Sequence, residues 1–315
     1  MEKKSNRVGN LDIIKAICAF LVIHIHYSSC ILPLYVDAIA RLAVPLFAMI
    51  SGYFYRKNQS VIKPVVKNLL ILIVAEIANA LCCGFDYYIS QLKSNGVWNV
   101  IWCGFAGWTP GWFILGLIYA YLLMWLFDKL KISKWVFIII VPLLMIFLWI
   151  GQRFNTIGIV RKFCFYTSWL RVLTFFMLGH HIRENEDKIK NVSNKIWTIV
   201  LLAGILLTLA ERWLLTNVFN ISAKYFLYLG IFVSIVGAFC LALGCEEWNL
   251  PFLKFVGCNL SMYIYVVHMA VITLARNHGY EFDSLWICVG SLMVSLVIFC
   301  IKYFVKNIYS RYLRK

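Results

Sequence analysis

Ten apolar runs, each near twenty residues long, constrain this chain more than any motif in it. They fall near residues 11–31, 38–55, 65–84, 110–128, 134–151, 164–182, 196–215, 224–244, 256–275 and 284–305. About 20 apolar residues is the length an α-helix needs to cross the hydrocarbon core of a bilayer. Backbone N–H and C=O groups meet no water at that depth, so such a run crosses as a helix that satisfies its own backbone. The spacing predicts an all-α membrane protein of about ten transmembrane helices. Composition agrees, because 14% of the residues are charged where a soluble domain carries roughly 25%. The stretch 97–109 is apolar but too short to span, and is expected at the interface or as a re-entrant piece. No repeat or linker divides residues 1–315, so a single transmembrane domain without a soluble domain is expected. The first run leads into the second with no A-x-A-like site, so no cleaved signal peptide is expected.

The net charge is +16, yet the basic residues form no single block of the kind that grips nucleic acid. They sit in short clusters between the apolar runs, where loops meet anionic lipid. With the N-terminus inside, twenty Lys and Arg fall in the inner segments (Lys3, Lys4, Arg7, Arg56, Lys57, Lys63, Lys67 and onward to Lys315) and seven in the outer ones. That asymmetry is the one the positive-inside rule requires. It predicts cytoplasmic N- and C-termini in a cell membrane. The eleven cysteines are scattered, with no C-x-x-C spacing. They read as small buried hydrophobes, and no metal site is expected.

The informative residues break the lipid rule, since an ionisable group at depth costs at least a few kcal/mol. In the first run, Lys15 and His26 are eleven positions apart, three turns plus about 20°, so they share one helix face about 16 Å apart. Asp12 stands three residues before Lys15, in i,i+3 reach. One reading is a lysine that snorkels to the headgroups and a histidine bonded at the far interface. The other is a polar stripe along a protein-lined channel, with Lys15 holding an anion and His26 exchanging protons. In the second run Pro45 can break the helix, while Ser51-Gly52 offers a hydroxyl and close packing. Trp112 reads as an interfacial anchor. Arg171 lies deep enough to need a partner, for which Glu76 is a candidate, or an anionic ligand. In the ninth run Ser261, Tyr265 and His268 share a face. His24 points 200° away from His26.

These residues, in this order, resemble the acyltransferase-3 family of membrane acyltransferases. The resemblance rests on Asp12, Lys15 and His26, on Val44-Pro-Leu-Phe-Ala-Met-Ile-Ser-Gly52, and on Gly111-Trp-Phe-Ile-Leu. It continues through Arg171 with Phe175-Phe-Met-Leu-Gly179 and ends at Ser261-Met-Tyr-Ile-Tyr-Val-Val-His268. Lys15 stands where the family more often has Arg. The charge is kept, but the bidentate fork is lost.

The resemblance implies transfer of an acyl group, acetyl in first place, from cytoplasmic acyl-CoA to a hydroxyl of a carbohydrate or cell-envelope acceptor. Acetyl-CoA is then a co-substrate, with no permanently bound cofactor, and membrane lipid surrounds the protein. The implied catalytic residues are His26, Lys15 and Asp12. Donor and substrate contacts are implied for Arg171, His268, Tyr265, Ser51, Gly52, Trp112 and Arg56. The competing reading is a transporter or flippase, or a membrane module that binds a cell-wall precursor, because deep His, Arg and Lys also mark transport routes.

Overall fold

The computed structural model describes residues 8–26, 34–57, 59–83, 111–132, 139–153, 168–220, 227–279 and 284–312. The stretch 97–109 lies outside them. Every element among the described residues is helical. The order is α1 (Gly9–His26), α2 (Leu34–Ala40), α3 (Ala43–Tyr53), α4 (Ile62–Cys83), α5 (Trp112–Lys129), α6 (Val141–Arg153) and α7 (Ser168–Glu184). Then come α8 (Glu186–Lys190), α9 (Asn194–Trp213), α10 (Leu229–Gly244), α11 (Pro251–Phe255), α12 (Ser261–Asn277) and α13 (Ser284–Tyr312). A π-helical turn, Leu214–Val218, continues α9, and a second, Val256–Leu260, joins α11 to α12. Among the described residues seven helical spans are long and apolar enough to cross a membrane.

Polar bonds at the helix ends show how the spans alternate. At one side Tyr55 donates to Asp128 Oδ2 at 2.8 Å, and Lys57 pairs with Glu184. These contacts gather the end of α3, the end of α5 and the end of α7. At the other side Arg276 donates to the backbone oxygen of His26 at 3.2 Å, and Asn277 to that of Cys82 at 3.3 Å. Here the ends of α1, α4 and α12 meet.

The outer faces are apolar and bare of protein, as a lipid solvent demands. Leu70, Val74 and Leu81 on α4 and Met293, Val297 and Ile301 on α13 are exposed. The inner core sits between α3, α5, α7 and α10, around Met49, Tyr53, Phe175, Phe176 and Phe239. A second apolar cluster joins α1, α12 and α13.

Two helix crossings position the polar centre. At the α3–α7 crossing a Cβ on Gly52 would fall 1.9 Å from the Phe176 carbonyl oxygen, and one on Gly179 would fall 2.0 Å from that of Met49. Glycine at both points lets the two backbones touch, the small-residue packing that membrane helices use in place of a hydrophobic drive. The start of α1 is clamped by Asn10. Its amide donates to Ala242 O at 3.1 Å and Glu246 O at 3.0 Å, and its oxygen accepts from Trp248 N at 2.8 Å. A buried amide with both ends satisfied fixes orientation as well as adding stability.

The span formed by α2 and α3 is broken at Arg41–Leu42. Pro45 explains the break. It sits in the first turn of α3, where its missing N–H is harmless, but its ring excludes helical geometry at the carbonyl four residues earlier, which is Arg41.

Candidate functional site

The N-terminal end of α1 opens the first cavity. Lys15 Nζ lies 2.6 Å from Oδ1 of buried Asp12. The i,i+3 spacing makes that contact, so the carboxylate holds the ammonium at the cavity wall. This cavity has a volume of about 290 Å³. Its wall takes Lys15 from α1, Ser51 from α3, Lys67 from α4, Phe113 from α5, and Ser261 and Tyr265 from α12. Ser51 and Ser261 spend their hydroxyl protons on backbone oxygens of their own helices, Phe47 O at 3.0 Å and Gly257 O at 2.8 Å. Their oxygens keep lone pairs to offer.

The C-terminal end of α1 opens a second, smaller cavity of about 80 Å³. His26, Arg41, Pro45, Trp112, Arg171 and Phe175 form its wall, with other apolar side chains. The Arg171 guanidinium lies 4.8 Å above the Trp112 ring, a cation–π arrangement. Arg41 pairs with buried Asp37, both carboxylate oxygens meeting Nη2, at 3.3 and 3.2 Å. Glu76 accepts from the Gly111 N–H at 3.1 Å and so fastens α4 to the start of α5.

A line of rings runs from the wall of the larger cavity to that of the smaller one. Phe47 and Phe113 stand 6.2 Å apart, Phe113 and Tyr265 5.5 Å, Tyr265 and His268 5.5 Å, and His268 and His26 5.4 Å. His268 is buried, and its Nδ1 lies 2.5 Å from the Tyr265 carbonyl oxygen. A carbonyl only accepts, so Nδ1 carries the proton and Nε2 keeps its lone pair in the neutral ring. Nε2 has no hydrogen-bond partner among the described residues. A basic nitrogen is thus held in fixed orientation beside a second imidazole, which itself opens on the smaller cavity.

The structure sorts the sequence-derived site residues into groups. Lys15, Ser51 and Tyr265 line the larger cavity, and Asp12 pairs with Lys15 there. His26, Trp112 and Arg171 meet at the smaller one, and His268 stands between. Gly52 is a packing residue against α7 and lines neither cavity. Arg56 lies exposed in the turn after α3 and also lines neither. Sequence reasoning gave no role to Arg41 or Phe113. Arg41 carried a signal, a carboxylate four residues before it inside an apolar run. Phe113 carried one only as part of the Gly111-Trp-Phe-Ile-Leu stretch, which by itself names no role for it.

A multi-pass helical membrane protein with an ionisable centre between two internal cavities is the class these features define. Residues 8–304 match the family model of the acyltransferase-3 group, described as an acyltransferase domain, and the chain belongs to that family of membrane acyltransferases. No curated protein and no solved structure matches it.

Proposed function

We propose that this protein moves an acyl group, acetyl in first place, from cytoplasmic acyl-CoA to a hydroxyl of a carbohydrate or other cell-envelope acceptor. On this reading about ten helices cross the cell membrane as one domain, with both termini in the cytoplasm. The observation that carries the reading is the ring line ending in His268 and His26, which lies between a lysine-bearing cavity and an arginine-bearing one.

The donor enters the larger cavity. Its phosphates meet Lys15 and Lys67, a charge-assisted contact, and its thin pantetheine arm runs inward past Ser51 toward Tyr265. The acceptor occupies the smaller cavity, where the Trp112 face suits a sugar ring. His26 takes the proton of the acceptor hydroxyl, whose oxygen attacks the thioester carbonyl. The developing oxyanion is held by Tyr265 or Arg171, donors positioned before the reaction. The carbon–sulfur bond then breaks, and the CoA thiolate takes up the proton. His268 shares the proton traffic with His26. General base catalysis of this kind contributes roughly 10²- to 10⁴-fold.

The test is CoA thiol release by purified protein in liposomes, with acetyl-CoA and envelope glycans, and mass spectrometry of the glycan. A gain of one acetyl mass on the glycan supports the reading. Glycan movement across the bilayer with no thiol release would replace it with the transporter or precursor-binding reading, which the same two-cavity layout favours as the runner-up.

A further inference from the structure

The π turn between α11 and α12 gives the larger cavity a wall that an α-helix there would not. Ser261, at the end of the turn, bonds its backbone N–H to the Val256 carbonyl, five residues back, and so passes over Gly257. In an α-helix that N–H would take the Gly257 oxygen. Here the oxygen accepts the Ser261 hydroxyl, at 2.8 Å. A hydroxyl carries one proton, and this bond uses it. Ser261 is buried and lines the cavity, so its Oγ offers the cavity lone pairs and no proton.

The turn is held in place by backbone. A Cβ on Gly257 would fall 1.6 Å from the Asp12 carbonyl oxygen, so the turn lies directly against α1, at the residue that pairs with Lys15. Gly257, Cys258 and Ser261 bring the turn onto the same wall as Lys15 and Lys67. The lysines are donors only. Beside two cations that suit phosphates, the turn thus sets an oxygen that accepts without donating. Its complement is an N–H on the ligand. Single π turns inside α-helices are frequent at functional sites.

We propose that Ser261 is a positioning residue for the donor, that its Oγ accepts one of the amide N–H groups of the pantetheine arm, and that the π turn is what orients it to do so. This rests on the acyl-transfer reading above and names a contact within it. The bond fixes how far the arm runs in from the lysines, and with it the place where the thioester stops.

The test uses the full chain in liposomes with acetyl-CoA and two analogues of it, each with one pantetheine amide replaced by an ester, which keeps the chain length and lacks the N–H. For the wild type, one analogue is expected to show a KM about three- to tenfold above that of acetyl-CoA, the worth of a single hydrogen bond, with kcat unchanged. Ser261→Ala is expected to raise the KM for acetyl-CoA by a similar factor and to use acetyl-CoA and that analogue alike. Ser261→Cys keeps a proton for the Gly257 oxygen but turns a poor acceptor to the cavity, and is expected to behave as Ser261→Ala does. A merely structural loss would raise both KM values together and keep their ratio. Equal KM values for all three donors in the wild type, or an undiminished preference in both variants, would overturn the proposal. Equilibrium binding of CoA and of its two ester forms reads the contact without chemistry. Tighter binding of CoA than of one ester form, with no thiol release from acetyl-CoA, upholds the contact and removes the acyl-transfer reading. Equal binding of all three alongside thiol release removes the contact and leaves that reading in place.

Discussion

His26 and His268 come from helices more than 240 positions apart in sequence, yet their rings stand 5.4 Å from one another. Only one has a fixed tautomer, through the Tyr265 carbonyl. On the acyl-transfer reading, two imidazoles so close act on protons as a unit, and units are non-additive under mutation. His26→Ala is expected to lower kcat for acyl transfer by roughly 10²- to 10⁴-fold with the KM for acetyl-CoA unchanged. The double variant His26→Ala/His268→Ala is expected to be no slower than the worse single one. Thiol-release kinetics on the three proteins measure both, and full activity in His26→Ala would remove the base assignment. Lys15 is a different kind of residue. Its ammonium is held 2.6 Å from Asp12 at the mouth of the larger cavity. Lys15→Met is expected to raise the KM for acetyl-CoA several-fold and leave kcat near the wild-type value, because a charge that grips donor phosphate acts on binding in both ground and transition states.

At the scale of helices, the α3–α7 crossing does the positioning. Gly52→Ala puts a methyl where the Phe176 carbonyl lies, and overpacking of this kind costs about 1–3 kcal/mol. A lower melting temperature in detergent and loss of activity are expected together. Gly290→Ala is the control, since its added carbon meets Val271 at an ordinary 3.5 Å, and both readouts should stay at wild-type values. The short α8 after α7 makes a pH-dependent joint outside the membrane. Burial pushes the Glu186 carboxyl up, but hydrogen bonds from Lys190 and Tyr53 and the charges of Lys190 and Arg183 outweigh it and hold the group below its ordinary 4.5. A depressed carboxylate stabilises the fold above its unfolded value and loses that contribution as pH falls through the folded one. Glu186→Gln should therefore lower the melting temperature at neutral pH and show less additional loss than the wild type below pH 4.5, as read by melting curves across that range. The sequence announced the helices themselves, because twenty apolar residues leave a bilayer-embedded chain few choices. Its 3.6-residue period set Lys15 and His26 on one face of the first run, and the structure gives them different cavities, the larger for Lys15 and the smaller for His26. The sequence carried the break before Pro45 and the close packing at Gly52, but it hid the π turn that carries α11 into α12 and the backbone of α7 that Gly52 packs against. Those depend on which backbone crosses which, and no periodicity within one segment encodes its neighbour.

For the molecule as a whole, the ring line is a link. It runs from Phe47, Phe113 and Tyr265 on the wall of the larger cavity through His268 to His26 on the wall of the smaller one. Phe113 lines the larger cavity, so on the acyl-transfer reading its ring limits the acyl chain that fits. Phe113→Ala is expected to shift the donor preference from acetyl-CoA toward butyryl-CoA, seen as a rise in the butyryl-to-acetyl ratio of kcat/KM. An unchanged ratio would place the limit elsewhere. The histidines of the ring line stood out in sequence, because His26 and His268 break the lipid rule of their own runs. How the rings line up across α1, α3, α5 and α12 is encoded in no single run. The Asn10 clamp has a consequence of another sort. Its partners Ala242, Cys245, Glu246 and Trp248 lie 232 to 238 positions further along the chain. A ribosome adding roughly 5–20 residues per second needs some tens of seconds to reach them. For that interval α1 carries an amide whose partners do not yet exist. The helix is therefore secured late, and the two cavities on its flanks take shape only as the final third of the chain arrives.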